Sequence, residues 1–329
     1  MGVLASIFFG FVPMFFYAGF VYWLDRYEKE PKLLLGGVFF WGAVVASAGA
    51  FLINTTFGVG VYSLTGSETA ADLTTTTVIA PIVEESLKGF AVLLVFFFVR
   101  QEMDSVLDGI VYAAVAALGF AATENAYYIY TYGYSQEGWT GLMGMVFIRV
   151  LLVGWQHPFY TAFTGIGLAV ARLNRNWLVK LTIPLVGLSA AMFTHAFHNT
   201  LASLLNGPAV FLGFFFDWTG WLAMFIFILV LINREKRWML EYLRDEVQLG
   251  TLTAPQYHTA TSTLKRTIVK FGALTQGRPG PTSRFYQLCA ELAHKKRELA
   301  TLGDENGNIK AVEGLRTELA RLSPNALYD

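Results

Sequence analysis

The chain has one cysteine, Cys289, in 329 residues, so no intramolecular disulfide can form. Its place in the C-terminal tail argues against a thiol nucleophile. Charge is also scarce. Asp, Glu, Lys and Arg make up 15% of the chain, against about 25% in soluble domains. The charges balance to zero, which gives no reason to expect a nucleic-acid partner. There is no G-x-S-x-G turn and no H-E-x-x-H pair, which excludes a serine-hydrolase elbow and a zincin helix. The first apolar run has no basic leader before it and no A-x-A-like cleavage site after it. Residues 3–24 are therefore read as a retained span.

What fills the chain instead is hydrophobic. Apolar residues make up 54%, aromatics 16%, and mean hydropathy is +0.47. That composition belongs to an all-α, polytopic membrane protein. A span needs about 20 mostly apolar residues, and seven segments qualify: 3–24, 33–54, 77–99, 107–130, 142–171, 181–205 and 208–232. The fifth is long enough to be tilted. Basic and non-basic connections alternate. Arg26, Lys29 and Lys32 follow the first span, Arg100 the third, and Arg172, Arg175 and Lys180 the fifth. Segments 55–76, 131–141 and 206–207 carry no Lys or Arg. The positive-inside rule then places the N-terminus outside and the C-terminus in the cytoplasm of a multi-pass cell-membrane protein in contact with membrane lipids.

Residues 1–232 form the membrane region and 233–329 a helical cytoplasmic tail. Of 24 Lys and Arg, 15 follow residue 233, as do 11 of the 24 acids, so the tail reads as a soluble appendage. Helices are predicted over 234–248, 256–274, 282–301 and 308–321. Turns are predicted at Gly277-Arg278-Pro279-Gly280-Pro281 and Gly303–Asn308. Basic residues at 234–244 are expected to hold the tail to the inner leaflet.

Polar residues at membrane depth point to function, because a charge at a helix centre costs about 2.5–3.5 kcal/mol on insertion scales. Glu84, Glu85 and Lys88 interrupt the third span. Glu124 and Asn125 lie in the fourth, Arg149, Gln156 and His157 in the fifth, His195, His198 and Asn199 in the sixth, and Asp217 in the seventh. At 1.5 Å per residue, Glu84 lies about 10 Å below the outer end of its helix. Glu124, His195 and His198 fall in the same outer half, as one polar site between helices requires. Glu84 and Lys88 are spaced i,i+4 with Glu first, the favourable order for an ion pair. His195 and Asn199 share a face. Glu84 and Glu85 point about 100° apart, so they meet different partners.

Glu84-Glu85-Ser86-Leu87-Lys88 reads E-E-x-x-K. Phe120 to Asn125 reads F-x-x-x-E-N, His157 precedes Pro158, and His195 to Asn199 reads H-A-x-x-N. In this order, on successive spans, they resemble the bacterial PrsW-type intramembrane proteases. That family sits in a superfamily with CAAX-processing endopeptidases and bacteriocin-processing membrane proteins. The resemblance covers about residues 1–232 and leaves the tail aside. It implies proteolysis of single-span or membrane-anchored substrates, such as anti-sigma-factor-like regulators, near the extracytoplasmic side.

Peptide hydrolysis needs an activated water and a stabilised oxyanion. Glu85 or Glu84 is expected to activate the water, and the other to orient it or a histidine. His195 and Asn199 are expected to donate to the oxyanion, His157 to be a second donor or proton shuttle, and Glu124 to position a histidine. Lys88, Asn125, His198 and Arg149 are supporting residues, with Arg149 a counter-ion. No cofactor is expected. The alternative is a zinc site built from Glu85, Glu124, His157 and His195. A transporter, whose buried charges would line an ion path, is a competing class, but no repeat symmetry supports it. A non-catalytic scaffold is the third.

Overall fold

The computed structural model describes residues 1–205, 209–277, 279–304 and 307–328. The connection expected at 206–207, Pro208 at the head of the seventh span, Arg278 in one tail turn and 305–306 in the other lie outside these. Among the described residues there is no strand. The chain forms two compact units. One comprises Met1–Trp23, Glu30–Arg172 and Asn176–Phe227. The other comprises Leu24–Lys29, Leu173–Arg175 and Ile228–Asp329.

The first unit is built from α1 (Gly2–Leu24), α2 (Lys32–Thr65), α3 (Glu68–Thr74), α4 (Ala80–Phe98), α5 (Val106–Tyr128), α6 (Ser135–Val146), α7 (Gln156–Arg172), α8 (Trp177–Leu204) and the first part of α9 (Val210–Tyr242). Among the described residues, five helical stretches are long and apolar enough to cross a membrane: Gly2–Leu24, Lys32–Thr65, Val106–Arg172, Trp177–Leu204 and Phe211–Gln248. The third stretch contains both the fourth and fifth expected spans. The expected span 77–99 lies on α4, where Glu84, Glu85 and Lys88 carry charge into the apolar run.

Helix α5 is the centre of this unit, and every residue from Leu107 to Ala122 is buried. Its start is fixed by a capping box. Ser105 Oγ accepts from the Leu107 and Asp108 amides at 3.1 and 3.3 Å, and Asp108 Oδ2 accepts from the Ser105 amide at 2.6 Å. Small residues then let neighbours close in on α5. Gly109 of α5 and Gly165 of α7 lie back to back, and a Cβ on either would overlap the other's carbonyl. Gly119 faces the Phe39 carbonyl, and Gly42 the Ala116 carbonyl, in the same way. Close backbone approach through small residues is how membrane helices associate when lipid removes the hydrophobic incentive. The surrounding helices expose Phe16, Leu185, Phe193 and Phe211 on their outer faces, as lipid-facing surfaces do.

The single span expected over 142–171 is broken. The chain leaves helical geometry at Val153 (φ −123°, ψ 11°) and re-enters at Gln156. Pro158 sits in the first turn of α7, where its missing N–H costs nothing. The break makes His157 the second residue of a new helix.

The second unit contains the rest of α9, then α10 (Arg244–Gln248), α11 (Ala254–Ala260), α12 (Thr263–Thr275), α13 (Pro279–Leu302) and α14 (Asn308–Leu322). Three expected boundaries move. The helix predicted from 234 is a continuation of α9. The helix predicted over 256–274 is two, because Ser262 caps α12 by accepting from the Lys265 amide. Helix α13 begins at Pro279, inside the predicted turn, since proline suits a first turn. Phe285, Tyr286, Leu288, Cys289 and Leu292 of α13 form the core with Met239 of α9, Leu243 just after it, and Tyr27. Burial pushes the Cys289 thiol up to about 12, which makes it a packing residue. Tyr27 is 1% exposed. Arg266 donates to the carbonyls of Tyr27 and Tyr286 at 2.9 and 3.2 Å, and Lys29 exchanges hydrogen bonds with Gln287. The unit is therefore not made of the C-terminal segment alone.

Gly165→Val places a branched side chain against the Gly109 carbonyl. It is expected to destabilise the protein by about 1–3 kcal/mol, the usual cost of overpacking, as a lowered unfolding midpoint in detergent. Gly36→Val, at a glycine with open space around it, serves as the control and is expected to leave the midpoint in place.

Candidate functional site

Helix α4 presents Glu84, Glu85 and Lys88 on one buried face, following a π-helical turn at Thr75–Ile79. Lys88 is 0% exposed. Its ammonium lies 2.6 Å from Glu85 Oε1 and 3.8 Å from Glu84 Oε2. It donates to His157 Nδ1 at 3.1 Å and stands 4.5 Å from the Phe120 ring centroid. One cation thus gathers side chains from α4, α5 and α7.

The two glutamates have different surroundings. Both oxygens of Glu85 are occupied. Oε1 takes Lys88 and His195 Nδ1 at 2.9 Å, and Oε2 takes the Thr161 hydroxyl at 2.8 Å. Glu84 accepts from Asn54 Nδ2 at 3.4 Å through Oε1. Its Oε2 is buried without a hydrogen-bond partner and lies 3.9 Å from His195 Nε2. Glu84 lines a cavity of about 600 Å³ together with Glu124, His157, Tyr160, His195, His198 and Asn199. Glu85 lies behind that lining.

Hydrogen-bond chemistry fixes both imidazoles. Lys88 has only donors, so His157 Nδ1 is the acceptor and the ring proton sits on Nε2. That N–H donates to Glu124 Oε2 at 2.8 Å. A carboxylate only accepts, so His195 carries its proton on Nδ1, toward Glu85, and turns the Nε2 lone pair toward Glu84 and the cavity. The oxyanion donor expected at His195 is therefore an acceptor there.

The supporting residues form a second layer. Arg149 pairs with Glu124, donates to Asn125 Oδ1 at 3.1 Å and stacks 4.2 Å from the Tyr128 ring. His198 meets Asp217 Oδ2 at 2.9 Å, and Gln156 Nε2 donates to the same oxygen at 2.7 Å. Asn199 Nδ2 donates to the Thr76 carbonyl of the π-helical turn at 2.8 Å. The ten residues given site roles from the sequence thus lie in one connected region, with Gln156 and Asp217, also noted there as polar residues at membrane depth, beside them. Three contributors were not foreseen: Asn54, Tyr160 and Thr161. Asn54 had a signal, an amide in the apolar second span. Tyr160 is 1% exposed with an unpartnered hydroxyl, and its ring stacks on His195 at 4.9 Å.

Among the described residues, the buried set able to hold a metal here is Glu84, His157 and His195, whose ligand atoms lie within 4.8 Å of one another. It differs from the set expected from the sequence. Glu85 is saturated, and Glu124 is held by Arg149 and His157. One carboxylate and two imidazoles suit zinc, and the unpartnered Glu84 Oε2 leaves a donor for it. Glu85 behind His195 Nδ1 is also the outer-layer carboxylate that metal-binding histidines use.

A family model described as PrsW family intramembrane metalloprotease matches residues 30–232. The chain is 28% identical over 183 residues to Protease PrsW of Bacillus subtilis, covering 53% of this chain and 75% of that protein. It is 30% identical over 126 residues to Protease PrsW of Geobacillus kaustophilus, covering 38% of this chain and 52% of that one, about half its length. No solved structure matches the chain.

Lys88→Met removes one partner of a buried ionic cluster and leaves its carboxylates uncompensated. It is expected to destabilise the protein by about 3–5 kcal/mol, read as a fall in unfolding free energy in detergent titration. An unchanged value would remove Lys88 as the organising group.

Proposed function

The chain belongs to the PrsW family of intramembrane metalloproteases, and on that premise we propose that it hydrolyses a peptide bond of a single-span or membrane-anchored protein in the cavity beside Glu84. The observation that carries this reading is the Glu84 carboxylate oxygen, buried and unpartnered, facing the His195 Nε2 lone pair at 3.9 Å. A water held between two acceptors is drawn from both sides. Glu84 takes its proton as general base, and His195 fixes the second O–H. Glu85 keeps His195 in the tautomer that accepts. Glu124 and Lys88 do the same for His157, whose ring closes the cavity wall. The oxyanion needs donors, and two residues that line the cavity carry them. The Tyr160 hydroxyl has no other partner, and Asn199 can turn its amide from the Thr76 carbonyl. Burial among apolar helices strengthens these interactions, because water does not compete there.

A second reading keeps the same cavity and adds zinc on Glu84, His157 and His195. It is favoured by their closeness and by the family's description. A zinc ion there would polarise the scissile carbonyl and acidify a bound water. Glu85 and Glu124 would then orient the two imidazoles. Lys88 already occupies His157 Nδ1, which is why the metal-free reading stands first.

The substrate class is the one that the resemblance to PrsW-type proteases implies, with anti-sigma-factor-like regulators the expected example, and the position of the site within apolar helices supports it. The basic connections support an N-terminus outside and a cytoplasmic tail, with cleavage toward the extracytoplasmic side.

Cleavage of a co-expressed single-span reporter separates these roles. Glu84→Gln is expected to lower the rate by about 10²–10⁴, the range of a lost general base. Tyr160→Phe is expected to cost about 10²–10³, as for an oxyanion donor. Glu85→Gln, which acts through His195, is expected to cost about 10–100. A Glu84→Gln variant that folds and cleaves normally would end the assignment of Glu84. Metal analysis of the purified protein, paired with chelation, divides the two mechanisms. Full activity at negligible metal content eliminates the second, while loss on chelation with recovery on added zinc overturns the first.

A further inference from the structure

Helix α12, Thr263–Thr275, lies outside the matched family region and has two opposed faces. Arg266, Val269 and Ala273 are buried in the second unit. On the other side Leu264, Ile268, Phe271 and Leu274 are 69, 52, 66 and 60% exposed. At 100° per residue, Leu264, Ile268, Phe271 and Thr275 fall within an arc of about 60°. A contiguous exposed apolar stripe on a folded unit marks a binding face.

The charge pattern says what binds. The helix sequence TLKRTIVKFGALT contains no acid. Lys265 and Lys270 stand on opposite flanks of the stripe, about 100° and 120° from Leu264. Their stems can run along the apolar surface while the ammonium groups reach outward. Lys270 is additionally pressed by like charge. Burial, Arg266 and Lys29 together bring it down to about 8, so it gains from a nearby anion. An apolar arc bordered on both sides by lysines is the pattern of a helix lying in a membrane interface with anionic headgroups at its rim. Such a surface is at hand, because segment Leu24–Lys29 of the same unit directly follows the membrane-length helix α1.

We infer that α12 is an interfacial membrane-binding helix that seats Leu264, Ile268 and Phe271 among acyl chains and pairs Lys265 and Lys270 with anionic lipid headgroups. The partner is the bilayer surface, and the inference is independent of the catalytic mechanism.

The test uses the full chain in lipid nanodiscs with and without anionic lipid. Nitroxide labels are placed singly at Ile268→Cys, Phe271→Cys and, as a solvent reference, Glu313→Cys. Each is made in a Cys289→Ala background. Power-saturation EPR compares relaxation by oxygen, which concentrates in lipid, with relaxation by a water-soluble nickel complex. In anionic discs the depth parameter is expected to turn positive at 268 and 271 and to stay negative at 313. Lys265→Gln with Lys270→Gln is expected to return both sites toward aqueous values. Aqueous values at 268 and 271 in every disc would overturn the proposal. So would protection from both relaxants together with spin–spin broadening between copies, which would make the stripe a protein contact.

Discussion

The buried Lys88 ammonium is the interaction on which the membrane unit's site depends. A fully buried cation is tolerable only if anions and polar groups surround it. That requirement brings Glu85 to 2.6 Å and His157 to 3.1 Å. Each of these partners then determines the next. Glu85, polarised by Lys88, holds His195 and Thr161. His157, accepting from Lys88, must donate to Glu124, and Glu124 in turn holds Arg149. The structural asymmetry between two adjacent glutamates centres on the same cation. Glu85 is engaged through both oxygens, while Glu84 keeps Oε2 without a hydrogen bond.

The scaffold makes this possible through small residues. With glycine facing glycine between α5 and α7, the helices come close enough for short polar side chains to span the gap. The break at Val153–Trp155 then turns His157 from a mid-helix position into the first turn of α7. An unbroken helix would have carried the imidazole at a different angle to α4. Packing, helix interruption and ionic pairing thus converge on one cavity.

Much of this was legible in the sequence, and the reasons are physical. Charges are costly in apolar helices, so Glu84, Glu85, Glu124, His157 and His195 stand out at once, and their shared depth anticipated that they converge. Motif order supplied the family. What the sequence hid was direction. Glu84 and Glu85 are neighbours, and only the position of α8 decides which one meets His195 Nδ1. The imidazole tautomers were equally hidden, because they follow from which atoms Lys88 and Glu85 present. The break before His157 had signals in Gly154 and Pro158 that hydropathy alone overrides. In the tail, α9 runs on through the predicted boundary because nothing between Ile232 and Tyr242 stops a helix. Tyr27 enters the second core through a contact more than 200 residues away in the chain, with Arg266, which no local pattern encodes.

The central claim is that Glu85 acts only through His195, leaving Glu84 to act on water. A double-mutant cycle of Glu85→Gln and His195→Ala, read as the single-turnover cleavage rate of a single-span substrate in nanodiscs, tests it directly. The account predicts that the double variant is no slower than His195→Ala alone. Losses that multiply, with the double variant slower by the product of the single effects, would contradict it and give Glu85 a catalytic role of its own.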